Sequence, residues 1–379
     1  MLIQRRLLIR IREALSSKRL VLVEGPPRSG KTTLAGQLVR AGSGAILLDA
    51  RSPGAANLLR DPRFALAELG FGLRVLVLDN ADEETAAALA GLAEAGGQPR
   101  LVLFGPRFPD RLAAAPGVLR LSLGGLSLLE VGRANRARHW LRGGYPEAYG
   151  AAGDEAALAW LARYADSIAE ERFAQAGLPW APGRTRSLLS MLARSHGSPL
   201  NESAVARSLG VSRPTVARAV AALGRSGLSR ILPSLRPASG KRVQGSGAFY
   251  LRDSGLLHAL LGIAGTEGLL GSAALAASFE GYAIEEALAL LPEGVEAARY
   301  RTQDGAGLEL VFLREGKPVA AAALRWAREG GPGKGALLAA RDVGAPANWL
   351  VLPESEEREL PSGFTALGLA RFLELVQEL

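Results

Sequence analysis

The sequence predicts an α/β chain of several domains, and three observations carry that prediction. Short apolar strands alternate with helical patterns over the first hundred residues. Two closely spaced helices separated by a Gly-Val turn sit in a basic middle segment, and a strand–turn–strand–strand pattern follows a helix near the C-terminus. At 379 residues the chain exceeds what one hydrophobic core serves, so two to four domains are expected. A hydrophobic content of 48% argues for a folded chain. No apolar run approaches the roughly 18 residues of a membrane span. The N-terminal stretch MLIQRRLLIRIREAL interleaves Arg5, Arg6, Arg10 and Arg12 with apolar residues, which suits an amphipathic helix better than a signal peptide. A cytoplasmic protein with no membrane partner is the expectation.

The chain has no cysteine, which removes disulfides, thiolate metal sites and cysteine nucleophiles. Its three histidines, 139, 196 and 258, are too scattered to suggest a histidine-built metal site. Charge is uneven. Residues 183–252 hold twelve Lys/Arg against one acid, Glu202, a net of +11 in a chain whose total is +8. A localised basic footprint of this kind points to a polyanion partner.

The strongest motif lies near the N-terminus. The strand RLVLVE (19–24) leads into GPPRSGKTT (25–33) and then into the helical LAGQLVRAG. This matches G-x-x-x-x-G-K-[ST] in its strand–loop–helix setting. The loop Gly25, Pro26, Pro27, Arg28, Ser29, Gly30, Lys31, Thr32 and Thr33 is expected to bind ATP. Gly25 and Gly30 let the backbone N–H groups face a phosphate, Lys31 adds positive charge, and the Thr32 hydroxyl is expected to bind Mg²⁺. Strands at AILLDA (45–50), VLVLD (75–79) and RLVLFGP (100–106) follow at spacings suited to a parallel sheet with flanking helices, the arrangement of a P-loop NTPase. Asp79, ending the second of these, is expected to hold Mg²⁺ through water.

The chain resembles the predicted prokaryotic ATPases of the AAA+ superfamily that carry a C-terminal domain of unknown function with a restriction-endonuclease-like core. The segments LLDARSPGAANLLRDPRFAL (47–66), GLSLLE (125–130), GGYPEAY (143–149), WLARYADSIAEERF (160–173) and FYLRDSGLLHALLG (249–262) carry the resemblance, in the family's order. It implies a P-loop core over 1–125, a helical lid over 126–182, a winged helix-turn-helix over 183–252 and a nuclease-like domain over 253–379. Its departures concern chemistry. The family's Asp-Glu pair reads Asp79-Asn80 here, and its Thr-Gly-Ser strand end reads Phe104-Gly105-Pro106. Asn80 can orient a water but cannot accept its proton. Asp82 and Glu83, or Glu84, are the acids nearby that would have to substitute. Arg100, Arg107, Arg133 and Arg136 stand as unranked candidates for an arginine finger.

In the basic segment, RSLLSMLARSHG (186–197) and NESAVARSLG (201–210) read as helices, the second capped by Asn201. After Gly210-Val211, SRPTVARAVAALGRSG (212–227) is a helix capped by Ser212 with Pro214 in its first turn. Its outward face is expected to carry Thr215, Arg218, Ala222 and Arg225. That pattern is a helix-turn-helix, followed by a basic wing with Arg230, Arg236, Lys241 and Arg242. Arg213, Thr215, Arg218, Arg225, Lys241 and Arg242 are the expected contacts to double-stranded DNA.

The C-terminal part begins with a helix, FEGYAIEEALALL (279–291), and continues as strands through 298–327. Against the resemblance, Glu280 is retained, Val311 stands where a metal-binding Asp belongs, and Ala323-Leu324-Arg325 replaces Glu-x-Lys. Glu309 reads as structural. An inactive platform for packing or for a protein partner is the expectation, with one last strand and a closing helix at the end. The function expected of the whole is an ATP/ADP-dependent switch with weak or absent hydrolysis that binds DNA or a partner protein.

Overall fold

A computed structural model describes residues 3–379 except 41, 43, 54, 56–59, 61–71, 96–98, 236–244 and 246, and the backbone alone of 91–95. It divides into two compact units, Met1–Leu126 and Ser127–Leu379.

Among the described residues the first unit forms a five-stranded parallel sheet. Its strands are β1 (Leu20–Glu24), β2 (Ala45–Asp49), β3 (Val75–Asp79), β4 (Arg100–Gly105) and β5 (Val118–Ser122), in the order β2-β3-β4-β1-β5. The apolar runs of the central strands are continuous because helices cover sheet faces, burying Val21, Val23, Val77 and Val102 on one side and Leu20, Leu22, Leu76 and Leu78 on the other. Leu8, Ile11 and Ala14 of the N-terminal helix Leu7–Ser17 join the first of these layers. Strand β5 was not anticipated from sequence; it pairs with β1 from Leu20↔Val118 to Glu24↔Ser122 and forms one edge. Most of the segment 47–66 that contributes to the family resemblance falls outside the described residues.

The second unit joins a helical layer to a mixed sheet. The helix Asp154–Gln175 packs with Pro182–Arg194, Glu202–Leu209, Arg213–Arg225 and Ser254–Leu261 around Leu161, Phe173, Leu192, Val216 and Leu223. Strands β6 (Ser229–Leu232) and β7 (Ala248–Leu251) form an antiparallel pair. The C-terminal sheet comprises β8 (Val295–Arg301), β9 (Gly307–Arg314), β10 (Lys317–Leu324), β11 (Ala347–Leu352), β12 (Arg358–Glu359) and β13 (Thr365–Gly368), in the order β12-β13-β11-β10-β9-β8. One face packs on the helices Leu275–Leu288 and Leu369–Gln377, the other on Lys334–Val343. Three strands therefore lie in the tail where one was expected, and the helix Lys334–Val343 was missed. Its Gly-rich lead-in, GPGKG, reads locally as loop, whereas Ala336 and Ala339 are buried against the sheet.

Three largely buried carboxylates link elements of this unit. Asp253 caps the helix Ser254–Leu261 by accepting from Leu256 N at 2.8 Å and also accepts from Gly144 N at 2.8 Å. A Cβ at Gly143 would lie 2.1 Å from Asp253 Oδ1, so only glycine allows this approach. Two segments that carried the family resemblance are thus two sides of one contact. On the helix Leu275–Leu288, Glu285 binds Arg230 and Arg252 at 2.6 and 2.9 Å. Burial alone would raise its pKa, but the two guanidinium groups outweigh it and hold the carboxyl at about 2. Neighbouring Glu286 accepts from Leu128 N at 2.7 Å, and burial pushes it up to about 8.

With its folded-state pKa above the ordinary value, Glu286 keeps a proton that the unfolded chain has released. Its contribution to stability is whole below about pH 4.5 and is lost as pH rises through about 8. Glu286→Gln keeps an acceptor for Leu128 N and removes the charge. Melting curves should therefore coincide with wild type near pH 5, and the variant should melt at least about 2 °C higher near pH 8.5.

Candidate nucleotide-binding site

Strand β1 ends at Glu24, and the loop that follows turns into the helix Lys31–Arg40. Gly25 passes so close to β5 that a Cβ there would sit 2.2 Å from the Leu123 carbonyl oxygen. Arg28 and Gly30 both have positive φ, +63° and +93°, and such reversals turn successive N–H groups toward one concavity. Within that loop the Ser29 hydroxyl is fully buried and finds no hydrogen-bond partner among the described residues. A polyphosphate fits such a cradle: it supplies acceptors for inward N–H groups at a helix N-terminus and for an orphaned hydroxyl. The Lys31 ammonium folds back over the loop, donating to Gly25 O at 2.8 Å and Pro26 O at 2.9 Å, while Thr32 and Thr33 are exposed.

Sequence reasoning missed what braces this loop. Arg5, buried just before the first helix, donates to Ser29 O at 2.8 Å, Gly124 O at 3.0 Å and Gly125 O at 2.7 Å. One guanidinium fork ties the phosphate loop to the segment after β5. Among the four arginines of the N-terminal stretch, nothing local distinguishes the one that turns inward.

Asp79 closes β3 and is buried at 4% exposure, accepting from the Asn80 backbone N–H at 2.9 Å. Asn80 adopts φ +57°, the left-handed region that asparagine tolerates better than glutamate does. Its side chain turns away along the sheet edge, where Nδ2 donates to Asp49 Oδ1 at 3.2 Å. Of the acids expected to substitute for the missing glutamate, Asp82 caps the helix Glu83–Ala95 through Thr85 N at 2.8 Å. That bond chiefly holds its carboxyl below the usual range. Glu83 pairs with Arg111 at 3.2 Å. Asp49, which the sequence did not single out, is the carboxylate the sheet register aligns with Asp79. At the end of β4, Phe104 is fully buried, and Gly105 lies against the Ala81 carbonyl.

The four candidate finger arginines are all engaged within their own units. Arg100 donates to Lys18 O and Ser16 O, Arg107 pairs with Asp110, Arg133 with Glu374, and Arg136 with Glu354.

In the basic segment, Asn201 and Ser212 cap their helices through Ala204 N and Thr215 N, and Gly210 takes the left-handed turn between them. The exposed face of Arg213–Arg225 differs from the expected one. Ala222 is buried at 4% exposure because its position faces the helical core; the outward row is Pro214, Arg218, Ala221 and Arg225. Thr215 is half-buried and bonded to the Ser212 hydroxyl at 2.8 Å. The footprint is also less positive than its composition. Arg213 pairs with Glu202, Arg186 with Asp166, and Arg230 and Arg252 with the buried Glu285, so part of the charge is spent inside the unit. Arg236, Lys241 and Arg242 lie outside the described residues.

At the position of the nuclease resemblance, Glu280 and Glu309 stand together. Tyr250 OH donates to Glu280 Oε1 at 2.5 Å, and Leu324 N donates to Glu309 Oε2 at 3.0 Å. Burial, with the Glu309 charge beside it, pushes Glu280 up to about 7. Val311 is buried in the core between the sheet and the helix Lys334–Val343, and among the described residues no three His, Asp or Glu form a metal-holding group.

A parallel sheet with a Gly-rich loop between strand and helix, and an acid ending a nearby strand, is consistent with a core of the P-loop NTPase type. By sequence the chain belongs to the family of two mycobacterial proteins, uncharacterized protein Rv2008c of Mycobacterium tuberculosis and uncharacterized protein Mb2031c of Mycobacterium bovis. It is 35% identical to each over 327 residues, covering 84% of this chain and 73% of theirs. A domain of unknown function (DUF8612) matches residues 133–267. Among solved structures, a signal transduction ATPase with numerous domains and a tetratricopeptide repeat sensor, from Pyrococcus horikoshii, aligns at a TM-score of 0.27 and 12% identity. That alignment covers 76% of this chain and 45% of the other. A DNA replication initiation factor aligns at 0.25 and 14%, over 57% of this chain and 86% of its own. Drosophila ORC bound to AT-rich DNA and Cdc6 aligns at 0.22 and 10%, over 67% and 89%. Scores of this size carry no inference of function. Among the described residues no helix is long and apolar enough to cross a membrane.

Replacing Arg5 by Ala strands three loop carbonyls and should lower the unfolding free energy of the first unit by about 2 kcal/mol or more in a urea titration. Arg5→Lys should recover little, because one ammonium cannot reproduce the fork.

Proposed function

We propose that this protein is an AAA+-like ATP-binding switch with slow hydrolysis, whose nucleotide state controls contact between its second unit and DNA. The observation that carries the reading is the loop from Gly25 to Thr32: strained, braced by Arg5, and lined by an unsatisfied buried hydroxyl. In this reading the loop N–H groups and Lys31 hold the β- and γ-phosphates, Lys31 exchanging its two loop carbonyls for phosphate oxygens. Thr32 and Asp79 would hold Mg²⁺, which supplies charge neutralisation at the phosphates. The carboxyl ends of the parallel strands, where Asp49 and Asp79 also lie, are where open α/β sheets place ligands. Hydrolysis is slow because Asn80 occupies the position of the family's acid and points its amide at Asp49 instead.

For the second unit, the paired helices Glu202–Leu209 and Arg213–Arg225 and the β6–β7 hairpin support a winged helix-turn-helix. In it Arg218 and Arg225 contact double-stranded DNA, with Arg213 and Thr215 at the helix start. Arg230 is a structural anchor in this reading, given its bond to Glu285. The remaining division follows the same resemblance, with a helical lid over 126–182 and a nuclease-like domain over 253–379 serving as a platform for a protein partner.

Lys31→Ala should abolish binding of a fluorescent ATP analogue, and unchanged affinity would remove the nucleotide assignment. For DNA, Arg218→Ala and Arg225→Ala should each reduce the slope of log affinity against log salt by about 0.9. Affinity for a duplex that ignores added ATP would leave DNA binding without the switch.

A further inference from the structure

We infer that Asp49 is the catalytic base of the slow ATP hydrolysis, with Asn80 as its positioning residue; the inference rests on the nucleotide reading above. Three observations converge on Asp49. First, β2 and β3 pair in register through their last residues, Asp49↔Asp79, and the pairing extends one step further through Ala50 N to Asp79 O at 2.9 Å. The two carboxylates therefore leave the sheet side by side, at the same edge as the loop after β1, with β4 between β3 and β1. Second, the Asn80 amide donates to Asp49 Oδ1 at 3.2 Å, and the Arg51 backbone N–H donates to the same oxygen at 3.0 Å. Both bonds fall on one oxygen. They anchor one carboxylate oxygen; among the described residues no hydrogen bond reaches Oδ2, and the side chain is exposed, so in this inference Oδ2 accepts from water. Third, three other acids near this edge are occupied: Asp82 caps a helix, Glu83 pairs with Arg111, and Glu24 binds Phe108 N at 2.6 Å and Arg120 at 3.2 Å. Glu84 lies exposed in the first turn of the helix Glu83–Ala95, without an in-register carboxylate beside it.

The arrangement moves the acid by one strand. A glutamate directly after Asp79 would need φ +57°, which costs a branched or long side chain more than it costs asparagine. The backbone turn after β3 thus favours Asn80, and the proton acceptor comes from the adjacent strand. In the reaction the water oxygen bonds to the γ-phosphorus as its proton passes to Asp49. The bond from that phosphorus to the β–γ bridging oxygen breaks, and its electron pair stays on ADP. The proton on Asp49 is then lost to solvent, so that one water and one ATP give ADP and inorganic phosphate.

The experiment uses the full-length chain and measures fluorescent ATP-analogue affinity and multiple-turnover phosphate release side by side. Asp49→Asn keeps an acceptor oxygen for Asn80 and Arg51. It should bind the analogue within about threefold of wild type while phosphate release falls about 100-fold or more, the usual worth of a positioned base. Asn80→Ala should lower release less and leave affinity unchanged, and a melting curve on each variant shows that the fold is retained. Asp82→Asn and Glu83→Gln should release phosphate at the wild-type rate if they fold. Wild-type protein that binds the analogue without turning over ATP overturns the assignment of Asp49 and leaves the switch standing. Equal turnover by wild type and Asp49→Asn overturns it too, as does loss confined to Asp82→Asn or Glu83→Gln. Failure of wild type to bind the analogue removes the nucleotide reading and this inference with it.

Discussion

Parallel pairing in register is the constraint on which the first unit depends. Each strand of a parallel sheet delivers its last residue to the same edge, so chemistry scattered over a hundred residues of sequence is gathered there without any long-range side-chain contact. Asp49, Asp79 and the start of the Gly25–Thr32 loop reach the same edge by this rule alone, on strands β2, β3 and β1. Burial of the central strands β1, β3 and β4 on both faces then fixes their register, because a slip of one residue would turn core valines and leucines into the wrong layer.

Around that edge, polar groups divide into those already satisfied and those left open. Arg5, Glu24 and Asp82 each have partners that brace a loop or cap a helix. The Ser29 hydroxyl has none among the described residues. In a well-packed protein a buried orphan of this kind costs stability unless a ligand completes it. The same division runs through the second unit. There Glu285 consumes two of the arginines that composition would have assigned to DNA, and Asp253 joins two distant glycine-containing segments through backbone N–H groups.

The elements legible in the sequence were those whose signal is local. The loop Gly25–Thr32, the strand ending at Asp79 and the Asn201 and Ser212 caps all depend on residues within one turn of each other. What escaped has a non-local cause. β5 has a weak pattern of its own and exists because β1 offers an unpaired edge. The inward turn of Ala222 depends on where the helix packs, which a helical wheel drawn around basic residues misplaced. The helix Lys334–Val343 hides behind glycines, and its alanines matter only once a sheet lies beneath them.

The sequence by itself indicated the parallel α/β class of the first unit, because alternating apolar strands and helical patterns and a glycine-rich strand–loop–helix turn are local signals. It also placed Asn80 directly after Asp79. Only the tertiary structure decided what Asn80 does and which carboxylate stands nearby. The reason is physical. Asn80 responds to a backbone φ that no neighbouring residue announces, and Asp49 lies 31 positions away on a strand brought close by hydrogen bonding across the sheet.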